Sequence, residues 1–286
     1  MRINEKKCTG CSACALVCSK KAITIEMDKE GFFAASVDEK LCNNCGLCTK
    51  VCINFCIDQS HKLQDGLLFS AQSKNKEVLK SSSSGGIAYE LSLFAIEKGF
   101  AVVGVIYDNK TNTAKTVLVN NKSDLEKLKG SKYLQSYTFN AFRQLLDEAR
   151  KNKNKQFLVF GTPCQIFGLR KLLDIYHLNE QFILVDLFCH GVPSYKVWFK
   201  YLDNVKAETG SMIENVVFRN KDYGWHDYVI TIKGNSGNYI KHSSKDLFYD
   251  IFFDNVLFIR TCFDCEVRMN ESKADMRLGD FWGKDI

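Results

Sequence analysis

Thirteen cysteines occur in this chain of 286 residues, and most of them stand in two matched runs near its start. The first run is Cys8, Cys11, Cys14 and Cys18, and the second is Cys42, Cys45, Cys48 and Cys52. Each cysteine of the second run lies 34 positions after its counterpart in the first, which indicates an internal duplication. Two residues separate the first three cysteines and three precede the fourth, a spacing typical of ferredoxins that bind two 4Fe-4S clusters.

In a duplicated run of this kind, the fourth cysteine of each half ligates the cluster of the other half. We therefore predict one cluster on Cys8, Cys11, Cys14 and Cys52, and a second on Cys42, Cys45, Cys48 and Cys18. Gly10 and Gly46 lie inside the loops, where a backbone without Cβ can pass close to a cluster. The proline that often follows the fourth cysteine is replaced by Ser19 and Ile53, which removes no ligand.

Two other chemistries also use closely spaced cysteines. Zinc takes four ligands in tetrahedral geometry, commonly from two separated CxxC units, and a dense run of three thiols fits it poorly. A disulfide framework needs an oxidising compartment, and the polar segment from Met1 to Lys7 does not resemble a signal peptide. Cys56 belongs to neither run, and we interpret it as a free or buried thiol.

Composition favours a soluble protein without a nucleic-acid partner. Hydrophobic content of 45% and charged content of 25% are ordinary for a globular chain. No apolar run approaches the roughly 20 residues of a membrane helix, so we expect a cytoplasmic protein with reduced thiols, working at low oxygen. The formal charge of +6 is offset because each 4Fe-4S cluster with its four thiolates adds about −2. Lys and Arg are also scattered rather than clustered.

The two cysteine runs need a small scaffold, and the rest of the chain is long enough for a larger one. We predict a ferredoxin module of α+β type over residues 1–60, with two paired strands at 22–26 and 32–37. Residues 61–80 carry few structural signals and are predicted to be a linker. Residues 81–286 are predicted to form the second, larger domain.

Apolar strands alternate with helices through much of the larger domain. The segments 157–160 and 182–188 are short, continuous apolar runs that are typical of buried strands, and helical patterns separate them. This alternation predicts an α/β domain with a mostly parallel sheet. Ser123 is expected to begin a short helix with a capping box, and Pro193 to open a helix that ends near residue 208.

Four further cysteines lie in the larger domain. Cys164 stands at a strand-to-helix turn, Cys189 follows the next strand, and Cys262 and Cys265 form a CxxC pair. The carboxyl ends of parallel strands share one edge of a sheet, where ligands bind, so these four could meet around one metal centre. The alternative is that Cys164 and Cys189 are buried structural thiols and the CxxC is a redox pair or half of a zinc site.

Short motifs in the larger domain carry a resemblance to a known family. They are GTPCQ at 161–165, CHGVPS at 189–194 and GDFWG at 279–283, with SGG at 84–86, GSKY at 130–133, FRNK at 218–221, GW at 224–225 and AD at 274–275. Together they resemble the coenzyme F420 hydrogenase/dehydrogenase beta-subunit family, some of whose relatives carry an N-terminal two-cluster ferredoxin domain. The resemblance covers nearly the whole chain.

The resemblance implies an iron–sulfur flavoprotein oxidoreductase. Family members bind FAD and a 4Fe-4S cluster in the large domain, and the cluster ligands correspond to Cys164, Cys189, Cys262 and Cys265. Electrons would pass between these centres and an organic substrate or deazaflavin (coenzyme F420) at the flavin, with a ferredoxin or another redox protein as partner. The alternative is a non-catalytic electron-transfer subunit that docks a separate redox enzyme; the sequence does not give the oligomeric state.

Predicted flavin contacts cluster in two segments and one turn. Small residues before a helix expose backbone N–H groups to a pyrophosphate, which favours Ser83, Ser84, Gly85 and Gly86. The resemblance adds Gly130, Ser131, Lys132, Tyr133 and Thr162, with Lys132 pairing with phosphate and Tyr133 stacking on a ring. The alternatives are a helix cap or linker for the serine run, a surface lysine and a core tyrosine.

Several other motif residues have weaker interpretations, and no catalytic residue is assigned. His190 could shuttle a proton beside a predicted ligand or be a structural histidine. The residues Trp225, His226, Asp280, Phe281 and Trp282 are candidate pocket walls, with ordinary aromatic core as the alternative. The chain ends three residues after GDFWG, whereas family members with this module commonly continue, and the sequence does not tell whether a C-terminal portion is missing.

Overall fold

The computed structural model describes residues 7–56, 61–62, 66–269 and 271–281. The N-terminal cysteine runs lie among five short elements: α1 (Ala13–Val17), β1 (Ile23–Met27), β2 (Phe33–Val37), α2 (Leu47–Lys50) and α3 (Ile53–Cys56). Strands β1 and β2 pair in antiparallel register, with Ile23 opposite Val37. The two strands predicted between the cysteine runs are therefore confirmed to within one residue at their first ends.

The larger part of the chain alternates helices and strands before it changes to a run of antiparallel strands. Its elements are β3 (His61–Lys62), α4 (Lys76–Ser81), α5 (Ile87–Glu97), β4 (Ala101–Asp108), β5 (Thr113–Val119), α6 (Lys122–Leu125), β6 (Ser136–Tyr137), α7 (Phe139–Lys151), β7 (Phe157–Phe160), α8 (Pro163–Tyr176), β8 (Phe182–Leu187), α9 (Tyr195–Thr209), β9 (Ile213–Asn220), β10 (Val229–Gly234), β11 (Asn238–His242), α10 (Leu247–Phe253), β12 (Glu271–Ser272) and β13 (Met276–Leu278). Residues 76–80 of helix α4 thus lie within the predicted linker.

In the described part of the chain, the largest sheet has six strands in the order β13-β8-β7-β4-β5-β6. Every neighbouring pair is parallel except β4 and β5, so the expectation of a mostly parallel sheet is confirmed. A separate three-stranded antiparallel sheet, β11-β10-β9, gives this part of the chain a mixed α+β content. The carboxyl ends of β7 and β8 lie side by side and lead directly to Cys164 and Cys189.

Two predicted helix starts are wrong in detail, and the reason is side-chain capping. Asn121, not Ser123, is the N-cap of α6, because its side chain accepts from the backbone N–H of Asp124. Ser194, not Pro193, begins α9, because its hydroxyl accepts from the backbone N–H of Lys196. Pro193 instead forms an isolated β-bridge with Phe258. No helix within the described residues is long and apolar enough to span a membrane.

The ferredoxin segment and the larger sheet share one hydrophobic core. Buried residues of α1 and β1 pack with α7, β7 and α8 in a single cluster. The Phe33 ring lies 5.1 Å from Tyr137 and 5.6 Å from Tyr195, measured between ring centroids. The Gln135 side chain accepts from the Phe33 backbone N–H at 2.6 Å and donates to the Thr9 carbonyl at 3.1 Å. These contacts fix the cysteine runs against the sheet.

A buried ion pair fixes the segment that follows the CxxC pair. Asp186 on β8 accepts from Arg277 on β13 through both carboxylate oxygens at 2.6 Å, and the two side chains are 0% and 3% exposed. The Ser272 hydroxyl donates to the same carboxylate at 2.7 Å. Arg277 also donates to the carbonyls of Met269 and Glu271. One guanidinium therefore holds the chain between Cys265 and β13 onto the edge of the sheet.

We expect Asp186→Asn to lower the free energy of unfolding by about 3–5 kcal/mol, because it leaves the Arg277 charge buried without a counter-charge. The matched control is Glu97→Gln, since Glu97 pairs with Lys122 on the surface with both side chains at least half exposed. The control should change stability by less than about 1 kcal/mol. Urea unfolding of the anaerobic protein measures both, and equal losses in the two variants would contradict the assignment.

Candidate functional site

The two cysteine loops adopt the same backbone conformation. Gly10 and Asn44 are equivalent positions 34 residues apart and have φ of 69° and 57°; Ser12 and Gly46 are also equivalent and have φ of 68° and 75°. The backbone N–H groups of Gly10 and Asn44 point at the sulfurs of Cys8 and Cys42, at 3.3 and 3.4 Å. The duplication seen in the sequence is therefore repeated in the left-handed turns that wrap each loop around its sulfurs.

The structure places Cys52 beside the first run; we call Cys8, Cys11, Cys14 and Cys52 the first cysteine group. Burial raises the pKa of the Cys14 thiol well above its usual range, and the nearby Cys11, Cys8 and Cys52 sulfurs raise it further. Burial likewise raises the pKa of Cys52 to about 12, with Cys11 and Cys8 contributing. A negative charge on any one of these sulfurs is disfavoured by charge on its neighbours. A cationic metal core would relieve this repulsion, because it binds thiols in their deprotonated form.

A second cysteine group, Cys18, Cys42, Cys45 and Cys48, surrounds a separate hollow. About 500 Å³ of space, part of it open to solvent, lies between these four residues and the nearby Lys20 and Val37. Cys45 is exposed, whereas the other three are half-buried. The Ala22 backbone N–H donates to the Cys18 sulfur at 3.4 Å. This group is therefore the one that faces solvent most directly.

The third cysteine group, Cys164, Cys189, Cys262 and Cys265, comes together from three separate segments. Burial raises the pKa of Cys164 well above its usual range, with Cys189 and Cys265 contributing, and Cys189 and Cys265 similarly contribute at Cys262. The four line a hollow of about 560 Å³, part of it open to solvent, together with Thr162 and Arg268. Thr162, predicted as a cofactor contact, places its hydroxyl 3.3 Å from the Cys164 sulfur.

Arg268 supplies positive charge at the third group and was not predicted from the sequence. Its guanidinium counteracts the raised pKa of Cys189, Cys262 and Cys265. One of its N–H groups donates to the Cys262 carbonyl at 3.5 Å, and another lies 3.4 Å from Nδ1 of His190. Its position three residues after Cys265 was the available sequence signal. Arg268 therefore places a positive charge beside the four thiols of this group.

Within the described part of the chain, no three His, Cys, Asp or Glu side chains are grouped as a single metal ion would require. A 4Fe-4S cluster binds each thiolate to a different iron, whereas one zinc ion binds all four ligands itself. The ligands of a cluster therefore lie further apart than those of zinc.

The first cysteine group lies next to each of the other two. Cys48 contributes to the raised pKa of Cys14, which connects the second group to the first. Cys11 contributes to the raised pKa of Cys164, which connects the first group to the third. Helix α8 begins with Pro163 and Cys164, and a Cβ built at Gly168 would lie 2.9 Å from the Cys11 sulfur. Helix α8 therefore carries a residue of the third group and packs against the first.

Two of the predicted flavin segments also meet. The Ser83 hydroxyl accepts from the Ser131 backbone N–H at 2.6 Å. Gly86 is the N-cap of α5 with φ of 81°, and no side chain among the described residues caps this helix. Gly130 likewise has a positive φ of 80°. The segment 83–86, which we call the serine–glycine loop, thus lies against 130–131, with the uncapped N-terminus of α5 beside it.

Lys132 and Tyr133 are both engaged with the protein itself. The Lys132 ammonium donates to the carbonyls of Lys127, Leu128 and Lys129 at 3.4, 3.0 and 2.7 Å, and burial lowers its pKa to about 7. The Tyr133 ring packs 4.9 Å from Phe252 and 6.0 Å from Phe218. Phosphate pairing by Lys132 and ring stacking by Tyr133 stay predictions.

Other motif residues converge on the same region. Arg219 pairs with Asp280 at 2.7 Å, and its guanidinium lies over the Tyr228 and Trp225 rings at 4.7 and 5.6 Å. Lys221 donates to the Ser84 carbonyl at 3.0 Å. Segments that carry SGG, GSKY, FRNK and GDFWG therefore meet, and Arg219 and Lys221 are functional candidates that sequence reasoning did not single out beyond their motif.

Aromatic rings connect this region to the third cysteine group. Phe252 packs against Tyr133 on one side and lies 5.0 Å from the His190 ring on the other. His190 follows Cys189 directly, and burial lowers its pKa.

The remaining residues that the sequence singled out lie elsewhere or are engaged locally. The Trp225 ring lies 4.8 Å from the ring of its neighbour His226. Phe281 is exposed, and Trp282 lies outside the described residues. The Cys56 thiol donates to the Thr49 carbonyl at 3.2 Å.

Comparisons with protein families match three segments of the chain. Residues 154–285 match the family described as the C terminus of the coenzyme F420 hydrogenase/dehydrogenase beta subunit, and residues 68–143 match the family described as its N-terminal part. The chain belongs to the coenzyme F420 hydrogenase/dehydrogenase beta-subunit family. The family described as "4Fe-4S dicluster domain" matches residues 7–55, which include both cysteine runs. The protein is therefore an iron–sulfur electron-transfer protein that is similar to the beta subunit of coenzyme F420 hydrogenase.

Two relatives come from Methanosarcina barkeri. The coenzyme F420 hydrogenase subunit beta of this organism is 29% identical over 136 residues, which are 44% of this chain and 45% of the relative. The chain thus spans about half the length of this curated relative. The solved F420-reducing NiFe hydrogenase complex, studied with xenon, contains a chain that is 21% identical with a TM-score of 0.41; the match covers 60% of this chain and 59% of that one.

We expect Gly168→Ala to destabilise the protein by about 1–3 kcal/mol, because the added methyl group would overpack against Cys11 and Ala13. The sign is diagnostic, since Gly→Ala inside a helix otherwise stabilises by about 0.5–1 kcal/mol. A Cβ at position 168 would lie 2.9 Å from the Cys11 sulfur and 3.0 Å from the Ala13 Cβ.

The control is Gly237→Ala, where the nearest atom would be 3.6 Å away. Chemical unfolding and bound iron are measured for both variants. A stabilised Gly168→Ala variant with full iron content would show that α8 does not pack tightly on the first cysteine group.

Proposed function

We propose that this chain is an iron–sulfur flavoprotein oxidoreductase. It passes electrons between three 4Fe-4S clusters and an organic substrate or deazaflavin at FAD. The observation that carries the proposal is that the first cysteine group adjoins the other two, and that ring contacts lead from His190, beside the third group, to Tyr133. Tyr133 belongs to the segment that contacts the serine–glycine loop through Ser131. A series of one-electron centres that begins beside a two-electron cofactor is the arrangement such a reaction needs.

In this proposal the first, second and third cysteine groups each hold one cluster. Support comes from the donors around the sulfurs, since thiolates accept hydrogen bonds that lower the energy of their charged form. The backbone N–H groups of Ala35 and Gly10 each donate to Cys8 at 3.3 Å. The Asn54 amide lies 3.7 Å from the Cys52 sulfur. Hydrogen bonds to the sulfurs and burial also set cluster potentials.

The second group is the proposed point of exchange with a redox partner, because Cys45 is exposed. The first group is the relay, since its Cys11 and Cys14 are buried and it adjoins both other groups. At the third group, Arg268 stabilises negative charge and thereby favours the reduced state of the centre beside it. In this proposal, electrons pass in either direction between the second group at the surface and the flavin, through the first and third groups.

FAD is proposed to lie at the serine–glycine loop, with Gly130, Ser131 and Tyr133 beside it. When bound, a flavin accepts a hydride and releases its electrons singly. Support comes from the uncapped N-terminus of α5, whose backbone N–H groups suit a phosphate, and from the short path through Phe252 to His190.

A second candidate function is an electron-transfer subunit without its own turnover. It is favoured by the relation to a protein that is itself a hydrogenase subunit and by the exposure of the second cysteine group. In that role the ferredoxin segment would dock a separate redox enzyme, and the third group would exchange electrons with it or with its cofactor. The two functions share the clusters and differ only in whether a substrate is converted on this chain.

We expect about twelve irons and one FAD per chain after anaerobic purification and reconstitution. Cys262→Ser should retain about eight irons, because it removes a ligand from the third group only. Cys56→Ser is the control and should retain all of them, since its thiol contacts backbone carbonyls. Iron retained at the wild-type level in Cys262→Ser would mean that the third group holds no cluster.

Turnover separates the two candidate functions. The enzyme is expected to oxidise reduced coenzyme F420 with an artificial one-electron acceptor, and loss of the third cluster in Cys262→Ser should abolish this activity. An electron-transfer subunit would instead have its clusters reduced by dithionite, with electron paramagnetic resonance signals appearing, while it converts no substrate. That second result, with FAD and all irons present, would decide against the oxidoreductase for this substrate.

A further inference from the structure

The cation predicted to hold a phosphate is already saturated with protein partners. An ammonium has three N–H donors, and Lys132 directs its own at the carbonyls of Lys127, Leu128 and Lys129. These carbonyls end the short turn after α6, so Lys132 closes that turn in place of a ligand. Positive charge for an anionic ligand at the serine–glycine loop must therefore come from elsewhere.

Lys221 is the first alternative, because it still has a donor to offer. Its ammonium donates to the carbonyls of Leu79 and Ser84, at 2.7 and 3.0 Å. Two of its three N–H groups are thus used, and both bonds hold it against the serine–glycine loop. One N–H donor remains beside the N-terminus of α5, an eleven-residue helix that no described side chain caps.

Arg219 is the second alternative, and it is buried. Its side chain is 6% exposed and pairs with Asp280 through Nη1. Its Nε is buried and makes no hydrogen bond to any described group. A buried donor without a partner costs free energy unless a ligand or water accepts from it. The aromatic rings of Tyr228 and Trp225 flank the guanidinium.

Charged groups of both signs lie around the loop. Arg219 and Lys221 carry two positive charges, and Asp280 carries one negative charge. Asp222 pairs with Lys80 at 3.7 Å. Glu90, in the first turn of α5, accepts from the Ser73 hydroxyl, which does not neutralise a carboxylate. The preference for an anion therefore comes from directed donors, namely the start of α5 and the buried Arg219 Nε, and not from net charge.

We propose that Arg219 and Lys221, together with the N-terminus of α5, form the receptor for the diphosphate of a flavin dinucleotide. Arg219 Nε and the remaining Lys221 N–H each donate to a phosphate oxygen, and the backbone N–H groups of α5 bind the same anion. The inference rests on the proposed function, since that supplies the flavin. It assigns the charge recognition to the FRNK segment instead of to Lys132.

The experiment measures binding of FAD and of riboflavin, which lacks phosphate, to the anaerobically reconstituted full-length chain after flavin removal. The wild type should bind FAD at least about a hundredfold more tightly than riboflavin, since several charge-assisted hydrogen bonds go to the diphosphate. Arg219→Gln and Lys221→Gln should each weaken FAD binding about tenfold or more and leave riboflavin binding unchanged. Iron content and the unfolding midpoint are measured for each variant to confirm that it folds.

Three further variants sharpen the test. Lys80→Gln is the matched control, because it removes an exposed lysine near the same loop and should change FAD affinity less than about twofold. Asp280→Asn removes the counter-charge and should bind FAD at least as tightly as the wild type. Lys132→Gln should keep the preference for FAD over riboflavin.

The outcomes separate this inference from the function on which it rests. Wild-type FAD affinity in Arg219→Gln and Lys221→Gln, or equal affinity of the wild type for riboflavin and FAD, overturns the receptor and leaves the flavoprotein intact. Loss of affinity in Asp280→Asn equal to that in Arg219→Gln would show a structural pair and overturn it too. If the wild type binds no flavin, inorganic pyrophosphate is titrated instead: binding that Arg219→Gln abolishes supports the receptor while the flavin proposal fails, and no binding overturns both.

Discussion

The packing of α1 on α8 is the contact on which the arrangement of the site depends. Helix α1 carries Cys14 and follows Cys11, while α8 carries Cys164 in its first turn, so the packing of these two helices fixes the distance between two cysteine groups. Gly168 allows that approach, because any side chain there would collide with the Cys11 sulfur. The hydrophobic core continues across this contact from β1 to β7. The ferredoxin segment therefore packs as part of the larger fold, and this packing holds the sulfurs in place.

Burying so many sulfurs close together requires compensation, and the structure offers two kinds. Backbone N–H groups donate to the sulfurs of both loops, as at Cys8 and Cys42. At the third group the compensation is a cation, Arg268, whose charge counteracts the raised pKa of three thiols. A bound metal core would add a third kind, because it displaces the thiol protons. The buried pair of Asp186 and Arg277 follows the same rule, since it holds the segment beyond Cys265 without leaving a charge unpaired.

Motifs that lie far apart in the chain meet around Arg219. Its guanidinium, the serine–glycine loop and Asp280 come from segments that lie far apart in the chain, and two residues of the loop are held by contacts to other motifs: Ser83 by Ser131, and Ser84 by Lys221. Phe252 then connects Tyr133 to His190, one residue from a cysteine of the third group. A cofactor bound here would lie close to the third cysteine group because the aromatic core of α10 and β9 separates the two by only a few rings.

The sequence by itself determined the elements whose signals are local. The repeat of 34 residues predicted two equivalent loops, and short apolar runs predicted β7, β8 and a mostly parallel sheet, because spacing and hydrophobic periodicity are properties of neighbouring residues. Two helix starts were predicted wrongly by one or two residues. Ser123 and Pro193 were expected to begin helices that Asn121 and Ser194 cap.

Only the tertiary structure decided that α8 packs on the first cysteine group and that Lys221 stands at the serine–glycine loop. Both facts depend on contacts between residues that lie far apart in the chain, which no local pattern records. The engagement of Lys132 with backbone carbonyls was equally hidden, although its partners are close in sequence. It depends on how the turn after α6 folds and on the burial of that lysine, and a motif of four letters contains neither.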